Sequence, residues 1–135
     1  MSHFVKVKTV IKDMALLRRA ASNLGYLVIR DGHVRGYNNG TQKADYVLKL
    51  PGNYDVGFSK NDITGEYEVV ADFWMDHISK YIGHPNAQTD QEKMGKLLQE
   101  YSKEAIVQQA RNLGYVPIME KNHDSMLEMR FSNGE

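Results

Sequence analysis

Hydrophobic positions follow two different periods in the first part of the chain. Residues 5–11 alternate apolar and polar side chains with period two, which predicts a strand with one buried face. Asp13 then suits a helix N-cap, and apolar residues recur at helical spacing until Gly25. Gly25 predicts the end of this helix, because glycine adopts the left-handed conformation at little cost.

The middle of the chain is rich in strand signals. Residues 26–29 read as a strand followed by a turn at Asp31–Gly32, and residues 46–50 as a short strand that ends at Pro51–Gly52. Residues 54–59 and 67–73 alternate around the turn signal of residues 60–65. This pattern predicts a hairpin with one continuous apolar face.

A second helix is expected from Thr89 to about residue 112, because Thr89 and Glu92 have capping-box spacing. Gly114 should end it, with strands over residues 115–119 and 126–131 to follow. The stretch from residue 14 to 31 aligns without gaps on residues 103–120, and both copies contain Asn-Leu-Gly-Tyr. Two interpretations stay open. The same helix–stop–strand arrangement arose twice independently, or a helix-strand-strand unit was duplicated.

These elements predict an α+β fold, a mostly antiparallel sheet with two helices packed on one face. The chain has 135 residues, the length of one ordinary domain, and no linker interrupts it, so residues 1–135 are predicted to form a single domain.

Composition and motifs narrow the functional classes. Lys plus Arg equals Asp plus Glu at 17 each, so the charge balance does not favour a general nucleic-acid binder. Cysteine is absent, which excludes thiolate chemistry. No apolar run approaches the about 18 residues that a membrane span needs, and residues 1–6 lack the apolar stretch typical of a signal peptide. Nucleotide-binding and hydrolase motifs are missing as well. We therefore expect a cytoplasmic protein, or its plastid-stroma equivalent, without a cofactor.

Trp74 is the single tryptophan, and strand alternation places it on the opposite face from Phe73. With Met75 and Tyr81 it predicts an exposed patch for a protein partner, since interface cores favour these residue types. The alternative is that Trp74 closes the end of the sheet core. A homo-oligomer is also compatible with such a patch.

A pocket for an anionic or nucleotide-like small molecule is the alternative function, because a curved sheet under helices can enclose one. Arg35, Tyr37, Lys49 and Tyr81 are its expected lining residues.

A third alternative is a metal-assisted hydrolase, since carboxylates beside imidazoles can bind a divalent metal. Its residues would be Asp72, Asp76, His77 and His84. The simpler interpretation is that Asp72 faces solvent on a strand while the two histidines lie on a loop.

Several short segments fall in a familiar order. They are Met1-Ser2-His3-Phe4 with Lys8-Thr9, Leu24-Gly25-Tyr26, Asp55-Val56-Gly57-Phe58, Gly65-Glu66-Tyr67, Ala71-Asp72-Phe73-Trp74, and Tyr101 through Gly114-Tyr115. Over nearly its whole length the chain resembles a family of uncharacterised proteins, a conserved chloroplast reading frame with cyanobacterial, bacterial and phage relatives. The resemblance carries over no catalytic or binding residues, and it implies a protein partner, an AAA-type ATPase being the candidate. We therefore expect a non-enzymatic accessory or regulatory protein that binds another protein.

Overall fold

Five antiparallel strands form the main sheet. They are β1 (Phe4–Lys8), β2 (Leu27–Arg35), β3 (Thr41–Lys49), β4 (Asp55–Lys60) and β5 (Tyr67–Asp72). A computed structural model describes the backbone of residues 3–121 and 127–132 and the side chains of residues 3–115. The strand order is β1-β5-β4-β3-β2, with every neighbouring pair antiparallel. The predicted α+β class and antiparallel sheet are confirmed.

In the described part of the chain, three α-helices accompany the strands. They are α1 (Met14–Asn23), the single turn α2 (Ser79–Ile82) and α3 (Gly95–Asn112), which a 3-10 turn over Glu92–Met94 precedes. Asp13 is the N-cap of α1, as predicted, and its carboxylate accepts the N–H of Leu16 at 3.2 Å. Thr89 and Glu92 form the predicted capping box, with the Glu92 N–H donating to the Thr89 hydroxyl at 3.1 Å. No helix of the described part of the chain combines the length and apolarity that crossing a bilayer requires.

The chain divides into two compact units, Met1–Tyr101 and Ser102–Glu135, with the boundary inside α3. The first unit holds the main sheet, and the second holds an antiparallel pair, β6 (Val116–Lys121) and β7 (Leu127–Ser132). The last strand was expected from residue 126, which lies outside the described residues. The single domain over residues 1–135 stays a prediction.

Both long helices end in the same way, at the two Asn-Leu-Gly-Tyr segments. Gly25 has φ +90° and Gly114 has φ +86°. The N–H of Tyr26 bonds the carbonyl of Ala21, and the N–H of Tyr115 bonds that of Ala110, each at 2.9 Å. These are the bonds of a Schellman stop, so the sequence repeat is also a repeat of local structure. A duplication as its origin stays a prediction.

Part of the β2–β3 hairpin packs against one face of the sheet. Val34, Ala44 and Val47 form a buried cluster, with Phe4 packed against it. A Cβ on Gly57 would lie 2.5 Å from Cγ2 of Val34 and 2.8 Å from Cβ of Ala44, so the β2–β3 hairpin curls directly over β4. Residues 55–58 of β4 and 69–72 of β5 are accordingly all buried, whichever face of the sheet they point to.

One predicted turn is absent from the fold. The chain continues as strand through Asp31 and Gly32, and Gly32 pairs with Ala44 of β3. Asp31 has φ +48°, which Asp tolerates better than most residues, so the turn signal produces a kink inside β2. Pairing with β3 overrides the local preference.

Candidate functional site

Five aromatic rings meet at one end of the main sheet, and we call them the aromatic cluster: His3, Tyr37, Tyr54, Trp74 and His77. Trp74 contacts Tyr37 edge-on at 4.9 Å between ring centroids and stacks with His3 at 5.9 Å and His77 at 5.8 Å. His77 in turn stacks on Tyr54 at 4.3 Å. Three neighbouring rings thus support the indole, and such contacts each add about 0.5–1.5 kcal/mol beyond area burial.

Asp72 anchors the backbone of this cluster. Its Oδ1 accepts the N–H of Trp74 at 3.0 Å, and its Oδ2 accepts the N–H of Tyr37 at 2.9 Å. The side chain has no solvent-accessible surface, so the expectation that Asp72 faces solvent is wrong. The reason is the covered second face of the sheet, which alternation along β5 could not indicate. Gly36 allows the close approach, since its Cβ would lie 3.1 Å from that of Asp72.

Tyr54 lies at the buried side of the cluster. Burial raises the pKa of its phenol, and the nearby charge of Asp72 raises it further. Tyr54 therefore stays protonated, and His77 stacks on a neutral ring.

Trp74 and Met75 form the exposed part of this region. Phe73 is buried, whereas Trp74 keeps 43% of its surface exposed and Met75 keeps 61%. Met75 also has φ +54°, which is uncommon for a residue other than glycine. Two large apolar side chains are thus held outward on a supported base, and their role in partner binding stays a prediction. Tyr81, predicted beside them, instead lies edge-on to Tyr26, at 6.3 Å between ring centroids.

A second buried carboxylate, Asp55, organises a separate network. It accepts bonds from three nitrogens of Arg35 at 2.8–3.0 Å, from Lys49 Nζ at 3.0 Å and from the N–H of Leu50 at 3.4 Å. Burial alone would raise the pKa of this carboxyl, but the hydrogen bonds from Arg35 and Lys49 outweigh it and lower the pKa. The same bonding raises the pKa of Arg35.

The predicted ligand residues therefore have other roles in the described structure. Arg35 and Lys49 both bind Asp55, and Tyr37 belongs to the aromatic cluster. Tyr81 accepts a hydrogen bond from the Tyr26 hydroxyl at its carbonyl and reaches Gly52 with its own hydroxyl. A ligand bound by these four residues stays a prediction.

A cleft of about 750 Å³ opens next to Met75. Its walls are the α2 segment and the start of α3, and its charged lining residues are Asp76, Lys80, Lys93 and Lys96, with His84 beside them. We call it the lysine cleft. The sequence contained one signal for this cleft. Lys93 and Lys96 are three residues apart, a spacing that places two side chains on one helix face.

The proposed metal ligands are distributed between these two places. Asp72 and His77 belong to the aromatic region, while Asp76 and His84 line the lysine cleft. Among the residues that the structure describes, no group of three or more His, Asp or Glu side chains could hold a metal ion. The sequence analysis also missed His3 and Tyr54, which lie just before β1 and β4, far apart in the sequence, and share no motif.

Comparison with known proteins gives the family but no activity. The model of a protein family of unknown function, DUF1257, matches residues 20–128. "Uncharacterized protein ycf35" of Guillardia theta is 33% identical over 123 residues, covering 89% of this chain and 87% of the relative. The proteins of the same name from Pyropia yezoensis and Cyanophora paradoxa are 29% and 27% identical, over 85% and 90% of this chain and 83% and 88% of their own lengths. No solved structure gives a significant match. The chain belongs to the DUF1257 family of proteins of unknown function, as its resemblance to the chloroplast reading-frame family indicated.

Proposed function

We propose that this chain is a non-enzymatic accessory protein that binds another protein through Trp74 and Met75. The main supporting observation is that the exposed indole of Trp74 is held in place. Three rings contact it, and the buried carboxylate of Asp72 accepts a hydrogen bond from the backbone N–H of Trp74. A side chain that is already ordered loses little conformational entropy on binding. Tryptophan is also the residue type most enriched among side chains that dominate binding energy.

The partner should offer an apolar pocket or side chain to this surface. Trp74 and Met75 contribute apolar area, and none of the ion pairs among the described side chains involves the aromatic cluster. Burial of these two side chains on a partner would remove apolar surface from water, at about 25 cal/mol for each Å². The site of action would be the cytoplasm or the plastid stroma, and an AAA-type ATPase, implied by the resemblance, is the first partner to assay.

The test is affinity capture from the source organism with tagged wild type and two variants, Trp74→Ala and Met75→Glu, followed by titration of the purified partner. We expect one protein to be retained by the wild type and lost from both variants. Removal of a dominant indole should weaken binding about 30-fold, which corresponds to about 2 kcal/mol. Calorimetry with the purified partner measures this.

Ile63→Ala is the matched control, because Ile63 is 94% exposed in the turn between β4 and β5. It should bind as the wild type does. Circular dichroism should show all three variants folded, and Met75→Glu guards against loss of structure at Trp74, whose ring is part of the cluster. Unchanged partner affinity in both site variants would contradict the proposal.

A further inference from the structure

The lysine cleft concentrates positive charge in a chain whose formal net charge is zero. Its lining contains three lysines, Lys80, Lys93 and Lys96, and one carboxylate, that of Asp76, so its formal net charge is +2. A concave site with low-dielectric walls focuses such a field and raises the local concentration of anions.

Among the side chains of residues 3–115, the three lysines form no ion pair with a carboxylate. Across residues 3–115, where side chains are described, the ion pairs that other lysines make include Lys12 with Glu66 and Lys49 with Asp55, whereas the three cleft lysines make none. Two of them contact neutral groups. Lys93 Nζ donates to the carbonyl of Phe73 at 2.7 Å, and Lys80 Nζ lies 5.3 Å from the ring centre of Tyr81.

The two walls of the cleft are fixed to each other. The N–H of His84 donates to the carbonyl of Glu92 at 3.0 Å, and a Cβ on Gly83 would lie 2.8 Å from the carbonyl oxygen of Lys93. Ile82 and Met94, one on each wall, have no exposed surface. The lysines are therefore presented by a packed base, which lowers the entropic cost of binding a ligand between them.

We infer that the lysine cleft binds a phosphate-bearing small molecule, independently of the partner proposed above. An ammonium group is a compact charge with three donors, and lysine is a common phosphate ligand. Lys93 keeps two N–H donors after its bond to Phe73. A net lining charge of +2 matches a phosphate monoester or a diphosphate, and about 750 Å³ lies within the range of small-molecule sites.

The experiment titrates inorganic phosphate, pyrophosphate and a nucleoside monophosphate into the full chain at physiological salt, with amide NMR shifts and calorimetry as readouts. We expect saturable shifts confined to residues 75–96, from at least one of the three probes. The Lys93→Gln/Lys96→Gln variant should bind that probe about 100-fold more weakly, since it loses two charge-assisted hydrogen bonds that are each worth about a factor of ten.

Lys6→Gln/Lys43→Gln is the matched control, because it removes the same charge from exposed positions on β1 and β3. It should leave the affinity within about twofold, since screened charges on other strands contribute little. If both double variants bound the probe equally weakly, the effect would come from general electrostatics and the inference would be overturned. The absence of saturable shifts with all three probes would also overturn it.

Vesicles separate the two sources of a phosphate group. Sedimentation with phosphatidylcholine vesicles that contain anionic phospholipid should leave the wild type in the supernatant, while the small probes bind. If the wild type sedimented with these vesicles and Lys93→Gln/Lys96→Gln did not, the cleft would bind a lipid headgroup. That result would overturn the small-molecule assignment. Neither outcome depends on Trp74, so Trp74→Ala should bind the probes as the wild type does.

Discussion

Asp55 and Asp72 are buried to the same extent but are stabilised in different ways. Each lies at an end of its strand, β4 or β5, and neither has solvent-accessible surface. Asp55 receives five hydrogen bonds, four of them from the cations Arg35 and Lys49 or the Arg35 backbone. Asp72 receives backbone N–H bonds from Tyr37 and Trp74 and forms no ion pair with any side chain described in residues 3–115.

The difference indicates two separate roles. The charge of Asp55 is compensated by two cations, so this residue joins β2, β3 and β4 and serves the stability of the sheet. The bonds of Asp72 instead hold two backbone positions whose side chains lie in the aromatic cluster. A substitution of Asp72 should therefore change the environment of the exposed Trp74 indole, whereas a substitution of Asp55 should leave it unchanged.

The largest expected effect comes from Asp55→Asn. It leaves Arg35 and Lys49 without their counter-charge, and breaking a buried pair costs 3–5 kcal/mol. Because the side chains of Arg35 and Lys49 are 38% and 35% exposed and can turn to water, we expect the low end, about 3 kcal/mol. Urea unfolding at neutral pH measures it. A loss below about 1 kcal/mol would show that the network is not what stabilises this end of the sheet.

Asp72→Asn should cost less, about 1.5 kcal/mol, because an amide keeps one acceptor oxygen but presents a donor to the second N–H. Unlike Asp55→Asn, it should change the near-ultraviolet circular dichroism of Trp74 and weaken capture of the partner. If both asparagine variants changed the indole signal equally, the division of roles between the two carboxylates would fail.

The smallest expected effect is a change in the unfolding free energy at acidic pH. The pKa of Asp55 is lower in the folded chain than its ordinary value of 3.8, so the folded state binds that proton less tightly than the unfolded state. Its contribution is complete above pH 3.8 and is lost as the pH falls through the folded value. The difference in unfolding free energy between wild type and Asp55→Asn should therefore shrink between pH 5 and pH 2.5. A constant difference over this range would contradict the lowered pKa.

Elements with a local cause were predictable from the sequence. The Asp13 cap, the Thr89–Glu92 box and the glycine stops at Gly25 and Gly114 depend on residues within one turn of each other, and all four are present. The hairpin between β4 and β5 likewise follows from alternation around a turn. The kink at Asp31 was misread as a turn, because the same residue types suit both.

The two candidate sites depended on contacts between distant segments. His3, Tyr37 and Trp74 come together from three parts of the chain, and Lys80 meets Lys93 and Lys96 only because α2 packs beside the start of α3. Periodicity reports which side of an element is apolar, but not what covers the other side. For this reason Asp72 was placed in solvent, and the ion pairs of Arg35 and Lys49 with Asp55 were not predicted.

The sequence by itself determined the α+β class, the ends of the helices and the family, because caps, stops and alternation act over a few residues. The tertiary structure decided which polar side chains are buried and which charges remain unpaired. Those properties depend on the curl of the β2–β3 hairpin over Gly57 and on the packing of α2, since burial and pairing are set by the neighbours in space.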